Sequence, residues 1–433
     1  MRKTRNLHAE ETRLVTENGT VKKFHSLIDK VYHPTNLEMA WEVVKANRGS
    51  GGIDKVGIPA FEEVVETELQ KLHEELRTDT YKPLPVRRVN IPKRGKPNEK
   101  RPLGIPAIRD RVCQQALKNR LGPIFEPEFS NSSFGYRQGR SAHQAMRKIY
   151  YEIMDGCEWV VDADLRDFFG TVHHERLIDM IAEKVSDGRI LKLIRLMLEA
   201  GYMDKGKKYP TPQGTPQGGV ASPLFSNIYL NPFDHAMERK GYRLTRFADD
   251  WVVLCTSRAE AERALQDAKV ILESLGLTLH PEKTRITKMD WGFEFLGYKV
   301  KRGKGLELPQ GKIKKGSNKL NIYAIPTEKS VKRFRDTIRE RTKRRIPLKI
   351  QDLIDWLNPV IRGWGNYYRK AHVRKLFNRL QRWIVRRIWS HRCKRWRNNG
   401  WKRYPELMLY QTFKLVNLPS LIPDLKPTTA SVR

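Results

Sequence analysis

Residues 244–254 read Leu-Thr-Arg-Phe-Ala-Asp-Asp-Trp-Val-Val-Leu, two apolar runs that meet at a pair of adjacent carboxylates. Strand-forming residues flank the pair, so the pattern predicts a β-hairpin with Asp249 and Asp250 at or beside its turn. Two like charges at a tight turn between apolar strands repel each other unless a cation or solvent offsets them. The stretch is therefore either an ordinary polar turn or part of a site for divalent metal ions.

A second acidic strand offers the pair a partner. Residues 159–165 read Trp-Val-Val-Asp-Ala-Asp-Leu, and the two-residue period of a strand places Asp162 and Asp164 on one face. Neighbouring strands of one sheet would bring these acids to the Asp249-Asp250 turn. Asp164 and the Asp249-Asp250 pair would place three carboxylates around two hard cations, which suits nucleotidyl transfer, in which a 3′ hydroxyl is activated and pyrophosphate leaves.

The charge of the chain points to a polyanionic partner. There are 83 Lys and Arg residues against 49 Asp and Glu, a formal net charge of +34 over 433 residues. The sequence has no run of about 18 apolar residues, which disfavours a membrane, and its basic segments are rich in Trp and Tyr, which favours nucleic acid. The four cysteines lack CxxC spacing, and residues 1–20 lack the apolar core of a secretory signal. We therefore expect a cytoplasmic protein of bacterial type, associated with the nucleoid or with RNA.

The order of predicted elements favours an α+β fold, with helices on one face of a mostly antiparallel sheet. Strands are predicted at 81–93, 159–165, 244–254 and 293–300. Helices are predicted from Asn36, over 60–77 and 112–124, from Ser141, over 174–185 and 189–200, from a cap at Ser222, and over 259–275. A basic, glycine-rich linker at 301–326 marks a domain boundary.

Two stretches have an open interpretation. The glycine-rich turn at 49–52 is either a flexible connector or a place where backbone amides approach a phosphate. The basic strand at 81–93, with the cations that follow it up to Arg101, is either a solvated charge run or a grip for a triphosphate.

The last third of the chain is strongly basic. Residues 327–404 hold 25 Lys and Arg against 5 acidic residues, and six of the ten tryptophans. An apolar stripe at helical spacing between Leu376 and Ile388 is flanked by arginines, which predicts packed helices with a cationic outer face. A phosphate backbone would offset the self-repulsion of that face.

Taken in order, these motifs resemble the group II intron-encoded reverse transcriptases and maturases. Residues 36–300 resemble the fingers and palm of the polymerase right hand, with an antiparallel palm sheet. Residues 327–404, and 358–368 in particular, resemble its all-α thumb or X (maturase) domain. An extension at 1–35 and a tail at 405–433 complete the expected organisation. No clustered Cys/His pairs of an HNH endonuclease follow Trp401, so we expect no DNA-cleaving domain.

The resemblance also implies roles for individual residues. The first metal-binding aspartate is Asp164 rather than Asp162, because the aromatic residue that the family has five positions later is then Phe169. Phe169 would exclude a 2′ hydroxyl. The implied catalytic residues are Asp164, Asp249 and Asp250, with Leu165 added as a metal contact. Nucleotide binding is implied for Lys93, Arg101, Phe169, Gln217 and Lys283. Nucleic-acid binding is implied for Gly51, Gly52, Arg362, Trp364, Tyr367, Tyr368, Arg374, Arg379, Arg382 and Arg386.

The implied activity is RNA-directed DNA synthesis from dNTPs with two Mg²⁺ ions, for which Mn²⁺ would substitute. The implied partners are an RNA template, a DNA primer or target, and the parent intron RNA, whose splicing and mobility the protein would assist. Two other interpretations stay open. One is an RNA-binding splicing cofactor whose polymerase site is unused, and the other is a reverse transcriptase recruited to host defence or repair. The sequence carries no signal for oligomeric state.

Overall fold

The computed structural model describes residues 23–93, 96–303, 321–393 and 400–423, with the backbone alone for residues 93, 96–99, 303 and 321. This part of the chain divides into two compact units. The first comprises residues up to 149 together with 161–286, and the second comprises residues 150–160 together with those from 287 onward. None of the described helices is both long and apolar enough to cross a membrane.

The described residues form helices and strands in an interleaved order, as predicted. The helices are α1 (Ile28–Tyr32), α2 (Pro34–Asn47), α3 (Ile58–Glu62), α4 (Val65–Arg77), α5 (Ile108–Phe125), α6 (Ala142–Met154), α7 (Phe168–Thr171), α8 (His174–Ala182), α9 (Gly188–Glu199), α10 (Ser222–Arg239), α11 (Arg258–Ser274), α12 (Glu328–Arg341), α13 (Ile350–Tyr368), α14 (Arg374–Cys393), α15 (Gly400–Arg403) and α16 (Glu406–Gln411). The strands are β1 (Val86–Lys93), β2 (Lys96–Ile105), β3 (Trp159–Asp164), β4 (Tyr202–Asp204), β5 (Lys207–Tyr209), β6 (Arg243–Phe247), β7 (Asp250–Cys255), β8 (Arg285–Lys288), β9 (Phe293–Phe295), β10 (Tyr298–Gly303) and β11 (Asn321–Pro326).

The basic stretch predicted at 81–93 begins a β-hairpin. β1 and β2 are antiparallel, and β4 and β5 extend their sheet in the order β2-β1-β4-β5. Helices α1, α2 and α4 pack on α5 beside this sheet. The single helix predicted over 60–77 is in fact two helices, because α3 ends at Glu62 and α4 begins at Val65.

A central sheet in the order β6-β7-β3-β8 carries the acidic stretches. Trp251, Val252, Val253, Leu254 and Cys255 of β7 are all fully buried. Both faces of this strand are therefore covered, which explains its unbroken apolar run. Helix α10 contacts β6, and α11 contacts β7.

Residues 132–134 cover the outer edge of β6. The Arg246 N–H donates to the Ser132 carbonyl at 2.8 Å, and the Phe134 N–H donates to the Arg246 carbonyl at 2.9 Å. A covered edge offers no free ladder of backbone groups to another chain.

One predicted helix cap differs from the structure. Ser222 lies inside the first turn of α10, and its hydroxyl donates to the Pro216 carbonyl at 2.9 Å instead of capping the helix. The loop before α10 folds back on the start of the helix, so the Ser222 hydroxyl binds this loop. The helix start predicted at Ser141 does lie directly before α6.

The predicted linker at 301–326 differs more strongly. Its described parts are Lys301–Gly303, the end of β10, and β11, and these strands pair antiparallel in a sheet of order β11-β10-β9. The two units divide instead between residues 286 and 287. Most of the proposed glycine-rich segment, 304–320, lies outside the described residues.

In the second unit the stripe predicted on α14 is an interior face. Leu380, Ile384 and Ile388 are buried. Phe377 of the same helix meets Trp364 of α13 with 5.7 Å between ring centroids. The described helices from α12 onward agree with the all-α domain predicted after the palm.

Candidate active site

The acidic pair lies at a two-residue hairpin turn, which confirms the predicted hairpin. Phe247 and Asp250 are the last opposed residues of β6 and β7, so Ala248 and Asp249 form the turn. Ala248 has a φ of 62°, as tight hairpin turns require of their first residue. A side chain in this left-handed region costs about 1–2 kcal/mol. We call residues 247–250 the acidic turn.

Strand β3, next to β7 in the sheet, supplies two further carboxylates. Asp162 and Asp164 lie two residues apart at its end. The chain that follows α11 returns along this end, where the His280 N–H donates to the Asp164 carbonyl at 2.9 Å. Leu165 and Leu279 form an antiparallel bridge there. The return brings the cations of residues 283–285 to the acids.

Each of these two acids is paired with a cation of the returning chain. Lys283 contacts the Asp164 carboxylate. Arg285 donates from Nε at 3.0 Å and from Nη2 at 2.9 Å to one oxygen of Asp162. The Asp164 side chain is 30% exposed and that of Asp162 is 13% exposed. Asp164 is thus the more accessible acid, which supports its assignment over Asp162.

The carboxylates share one electrostatic environment. Burial, together with the charges of Asp162, Asp164 and Asp249, raises the pKa of Asp250 to about 8 against the opposing effect of Lys283. Burial also raises the pKa of Asp249, with Asp164 adding to the shift and Arg101 and Lys283 opposing it. The negative charge of the four acids therefore exceeds the positive charge that the adjacent side chains supply.

A hard divalent cation fits this chemistry, since carboxylate oxygens are its preferred ligands and its charge would offset the repulsion. The ligand geometry is not assembled, however. Within the ranges that the structure describes, no three Asp, Glu, His or Cys side chains are grouped so that they could hold one ion. The Asp164 carboxylate is instead engaged by Lys283. The metal ligands Asp164, Leu165, Asp249 and Asp250 stay a prediction.

The β1–β2 hairpin carries the predicted triphosphate cations. Arg101 is exposed on β2, opposite Ile91 of β1. Its charge opposes the rise in the pKa of Asp249, so the two groups lie within electrostatic reach. The side chain of Lys93 lies outside the described residues, although its backbone ends β1.

Phe169 and Gln217 lie on segments that are fastened to each other and to β2. The ring of Phe169 is half-buried and packs edge-on against Phe168 at 5.2 Å. Its carbonyl accepts the Thr215 N–H at 2.7 Å. The Gln217 carbonyl accepts the Gly104 N–H at 2.8 Å, which places the half-buried Gln217 beside the hairpin of Arg101.

Two residues near the acids escaped the sequence reasoning. Tyr136 is 50% exposed, has a φ of 60°, and interacts electrostatically with Asp249 and Arg101. Arg246 is fully buried in β6. The available signal for Arg246 was a charge inside an apolar strand, because a buried charge requires a partner elsewhere in the chain.

The glycines predicted to contact nucleic acid face their own chain. A Cβ on Gly52 would lie 2.5 Å from the Cα of Ala107, and one on Gly51 would lie 2.5 Å from the Val56 carbonyl oxygen. Arg87 donates to the Gly51 carbonyl at 2.7 Å. Close packing of the turn therefore accounts for both glycines.

The aromatic residues predicted on α13 anchor this helix to the β9–β10 hairpin. The Tyr367 hydroxyl donates to the Leu296 carbonyl at 2.8 Å, and the Tyr368 hydroxyl donates to the Gly297 carbonyl at 3.0 Å. Trp364 donates to the hydroxyl of Ser330 at 3.1 Å. Tyr368 is only 3% exposed. These contacts give the three side chains a structural role within the second unit.

The predicted arginines of the second unit are at its surface. The α14 arginines, as we call Arg374, Arg379, Arg382 and Arg386, are all exposed, and so is Arg362 of α13. Arg379 lines a cavity of about 530 Å³ together with Lys332, Arg335 and Arg339 of α12. The guanidinium groups of Arg335 and Arg339 lie 5.0 and 5.8 Å from the ring centre of Trp383.

Two family models match the chain in order. Residues 91–300 match the reverse transcriptase (RNA-dependent DNA polymerase) family, and residues 331–407 match the group II intron maturase-specific domain. The matches define the class: a reverse transcriptase domain followed by a maturase domain.

Individual relatives identify the branch of this class to which the chain is similar. Protein YkfC of Escherichia coli is 33% identical over an alignment of 321 residues that covers 65% of this chain and 84% of YkfC. The group II intron-encoded protein LtrA of Lactococcus lactis is 28% identical, with coverage of 80% of this chain and 71% of LtrA. An uncharacterised 91 kDa protein of a Schizosaccharomyces pombe cob intron is 27% identical over 73% of this chain and 47% of its own length. The chain belongs to the family of group II intron-encoded reverse transcriptases and maturases. Dependence on a divalent metal ion is general in the reverse transcriptase family.

Proposed function

We propose that the chain copies RNA into DNA from dNTPs and a DNA primer or target, and that it binds its intron RNA to assist splicing and mobility. The observation that carries the polymerase proposal is the hairpin turn that presents Asp249 and Asp250 in one electrostatic environment with Asp164. When bound by Asp164, Asp249, Asp250 and the backbone of Leu165, two Mg²⁺ ions or two Mn²⁺ ions would activate the 3′ hydroxyl and stabilise the leaving pyrophosphate.

The neighbouring residues supply the remaining functions. Arg101, Lys93 and Lys283 would neutralise the triphosphate, whose negative charge grows as pyrophosphate departs. Phe169 would lie against the sugar and exclude a 2′ hydroxyl. Gln217, held beside β2 by its own backbone, would contact the incoming nucleotide.

Primer extension tests the polymerase proposal. The wild-type protein should extend a DNA primer on an RNA template with dNTPs and Mg²⁺. The substitution Asp249→Ala should lower the rate at least about 1,000-fold, because several kcal/mol of charge stabilisation are lost. Asp179→Ala, which removes an exposed carboxylate on α8, is the matched control. Equal rates for wild type and Asp249→Ala would refute the assignment.

The RNA-binding proposal depends on the second unit. The α14 arginines form an exposed cationic row, and the cavity beside Arg379 adds three cations from α12. Arginine suits phosphate because its planar donors pair with two oxygens at once. Trp364 and Tyr367 are half-buried and Tyr368 is buried, which supports contact with RNA through the arginines, Arg362 included.

Splicing assays separate the two functions. Changing the α14 arginines to Gln should weaken RNA binding, abolish assisted splicing and reduce the log-log salt slope by about 0.7 to 0.9 for each phosphate that the variant no longer binds. The control variant removes the same amount of charge elsewhere. It changes four exposed cations in or next to α10 and α11 to Gln, namely Arg239, Lys240, Arg263 and Lys269. Equal effects of the two quadruple variants would refute a specific surface. An RNA-binding cofactor with an unused polymerase site predicts splicing without any primer extension by the wild type.

A further inference from the structure

Arg246 forms a buried ion pair directly beneath the acidic turn. Arg246 and its partner Asp234, on α10, are both fully buried. Nε donates to Asp234 Oδ1 at 2.7 Å and Nη2 donates to Oδ2 at 2.5 Å. A two-pronged pair of this kind fixes the plane of the guanidinium as well as its position. The third nitrogen, Nη1, is thereby aimed in a defined direction.

That third nitrogen reaches the turn itself. Nη1 donates to the Ala248 carbonyl at 2.9 Å and to Asn227 Oδ1 at 3.2 Å. Ala248 is the left-handed residue of the turn. The hydrogen bond from Arg246 therefore stabilises the one backbone conformation in the turn that an alanine does not favour by itself.

A second segment of the chain packs against the backbone of the same residue, Ala248. Asn227 Nδ2 donates to the Gly135 carbonyl at 2.9 Å. The Cα of Gly135 lies so close to the turn that a Cβ there would be 2.3 Å from the Ala248 nitrogen. Asn227 thus connects Arg246 to the segment that carries Gly135, since it binds both residues.

We propose that Arg246, with Asp234 and Asn227, acts as a positioning device for the catalytic carboxylates. Its guanidinium fixes the left-handed turn at Ala248 and so sets the directions in which Asp249 and Asp250 point. The inference rests on the proposed polymerase function and adds to it the residues that hold the acids in place. Nucleotide contacts from β2 and the Gln217 loop do not pass through this device, so its loss should lower kcat more than it raises KM for dNTPs.

The mildest test removes Asn227. Asn227→Ala should lower kcat about tenfold, equivalent to about 1.4 kcal/mol, with KM for dNTPs within about twofold of wild type. Hydrogen exchange of the peptide covering residues 243–255 should accelerate in the same variant. Asn36→Ala is the matched control, because Asn36 is also fully buried and bridges two segments by donating to the Val31 and Ala116 carbonyls. It should lower thermal stability similarly and leave both readouts unchanged.

A double-mutant cycle tests the mechanism. Glycine adopts the left-handed conformation without strain. The kcat loss caused by Asn227→Ala should therefore be about fivefold smaller in an Ala248→Gly background, which is a coupling energy of about 1 kcal/mol. Arg246→Lys keeps the positive charge but loses the two-pronged pairing with Asp234. The folded variant should show the same changes in kcat and in hydrogen exchange as Asn227→Ala.

Two outcomes would overturn the inference. One is a kcat for Asn227→Ala no lower than that of Asn36→Ala, and the other is a loss of the same size with and without Ala248→Gly. A wild-type protein without primer extension would refute the polymerase function instead. Hydrogen exchange at 243–255 would then still decide whether Asn227 and Arg246 hold the turn.

Discussion

Replacing Gly135 by alanine is the sharpest single perturbation of the acidic turn. The added Cβ would lie 2.3 Å from the Ala248 nitrogen and 2.9 Å from the Phe247 carbonyl carbon, whereas ordinary contacts begin at 3.4 Å. Both neighbours are backbone atoms, so no flexible side chain can yield. The turn or the 132–135 segment must therefore move by about 1 Å, at a cost of about 1–3 kcal/mol.

The expected effect on catalysis exceeds the effect on stability. A misplacement of about 1 Å can lower a rate about 100-fold. Single-turnover primer extension with saturating dNTP should show this loss for Gly135→Ala. Gly400→Ala is the control for overpacking, because its Cβ would lie 2.4 Å from Trp389 Cβ in the second unit. It should lower thermal stability and leave the rate of extension within about twofold. A folded Gly135→Ala protein with a rate within about threefold of wild type would refute this reasoning.

Two further predictions concern the nucleotide site and the fold. Phe169→Ala should raise ribonucleotide use relative to deoxynucleotides at least about tenfold, because the ring that would exclude the 2′ hydroxyl is removed. Competition assays with Phe168→Leu as control measure this ratio, and an unchanged ratio would remove Phe169 from that role. Burial raises the pKa of Asp110 to about 6, against hydrogen bonds from the Tyr81 hydroxyl and the Leu84 N–H. Folding therefore favours the protonated acid, and this contribution to the free energy of unfolding is complete below about pH 4 and is lost as the pH rises through 6, about 3 kcal/mol in all. Urea unfolding between pH 4 and 7 should show this slope in wild type but not in Asp110→Asn, and parallel curves would contradict it.

The sequence predicted the parts of the site that local pattern determines. Strand propensity on both sides of Asp249-Asp250 predicted the hairpin, and two-residue periodicity predicted the shared face of Asp162 and Asp164. The helical stripe of α14 also lies where its spacing placed it. In each case the information lies within about ten consecutive residues, so no distant contact is needed to interpret it.

Other features depend on contacts far apart in the chain. The linker predicted at 301–326 carries a basic, glycine-rich composition, but residues 298–303 and 321–326 pair as strands across that interval. Composition reports local flexibility and is silent on pairing partners. The same holds for Arg285, which lies 123 residues after Asp162, the acid to which it is bonded.

The residue at the turn itself suggests why the buried arginine is there. Glycine at position 248 would adopt a left-handed φ without strain, but it would also allow many other conformations and so leave the carboxylate directions loosely defined. Alanine restricts the backbone, but it disfavours the conformation that the hairpin needs. The hydrogen bond from Arg246 and the close packing of Gly135 compensate for that disadvantage, because the first acts on the Ala248 carbonyl and the second on the Ala248 nitrogen. The alanine side chain restricts the backbone, and the arginine stabilises the left-handed conformation. Together they define a single turn conformation, which neither provides alone. Precise placement of two repelling acids requires such a turn, since their mutual repulsion would otherwise favour conformations that separate them.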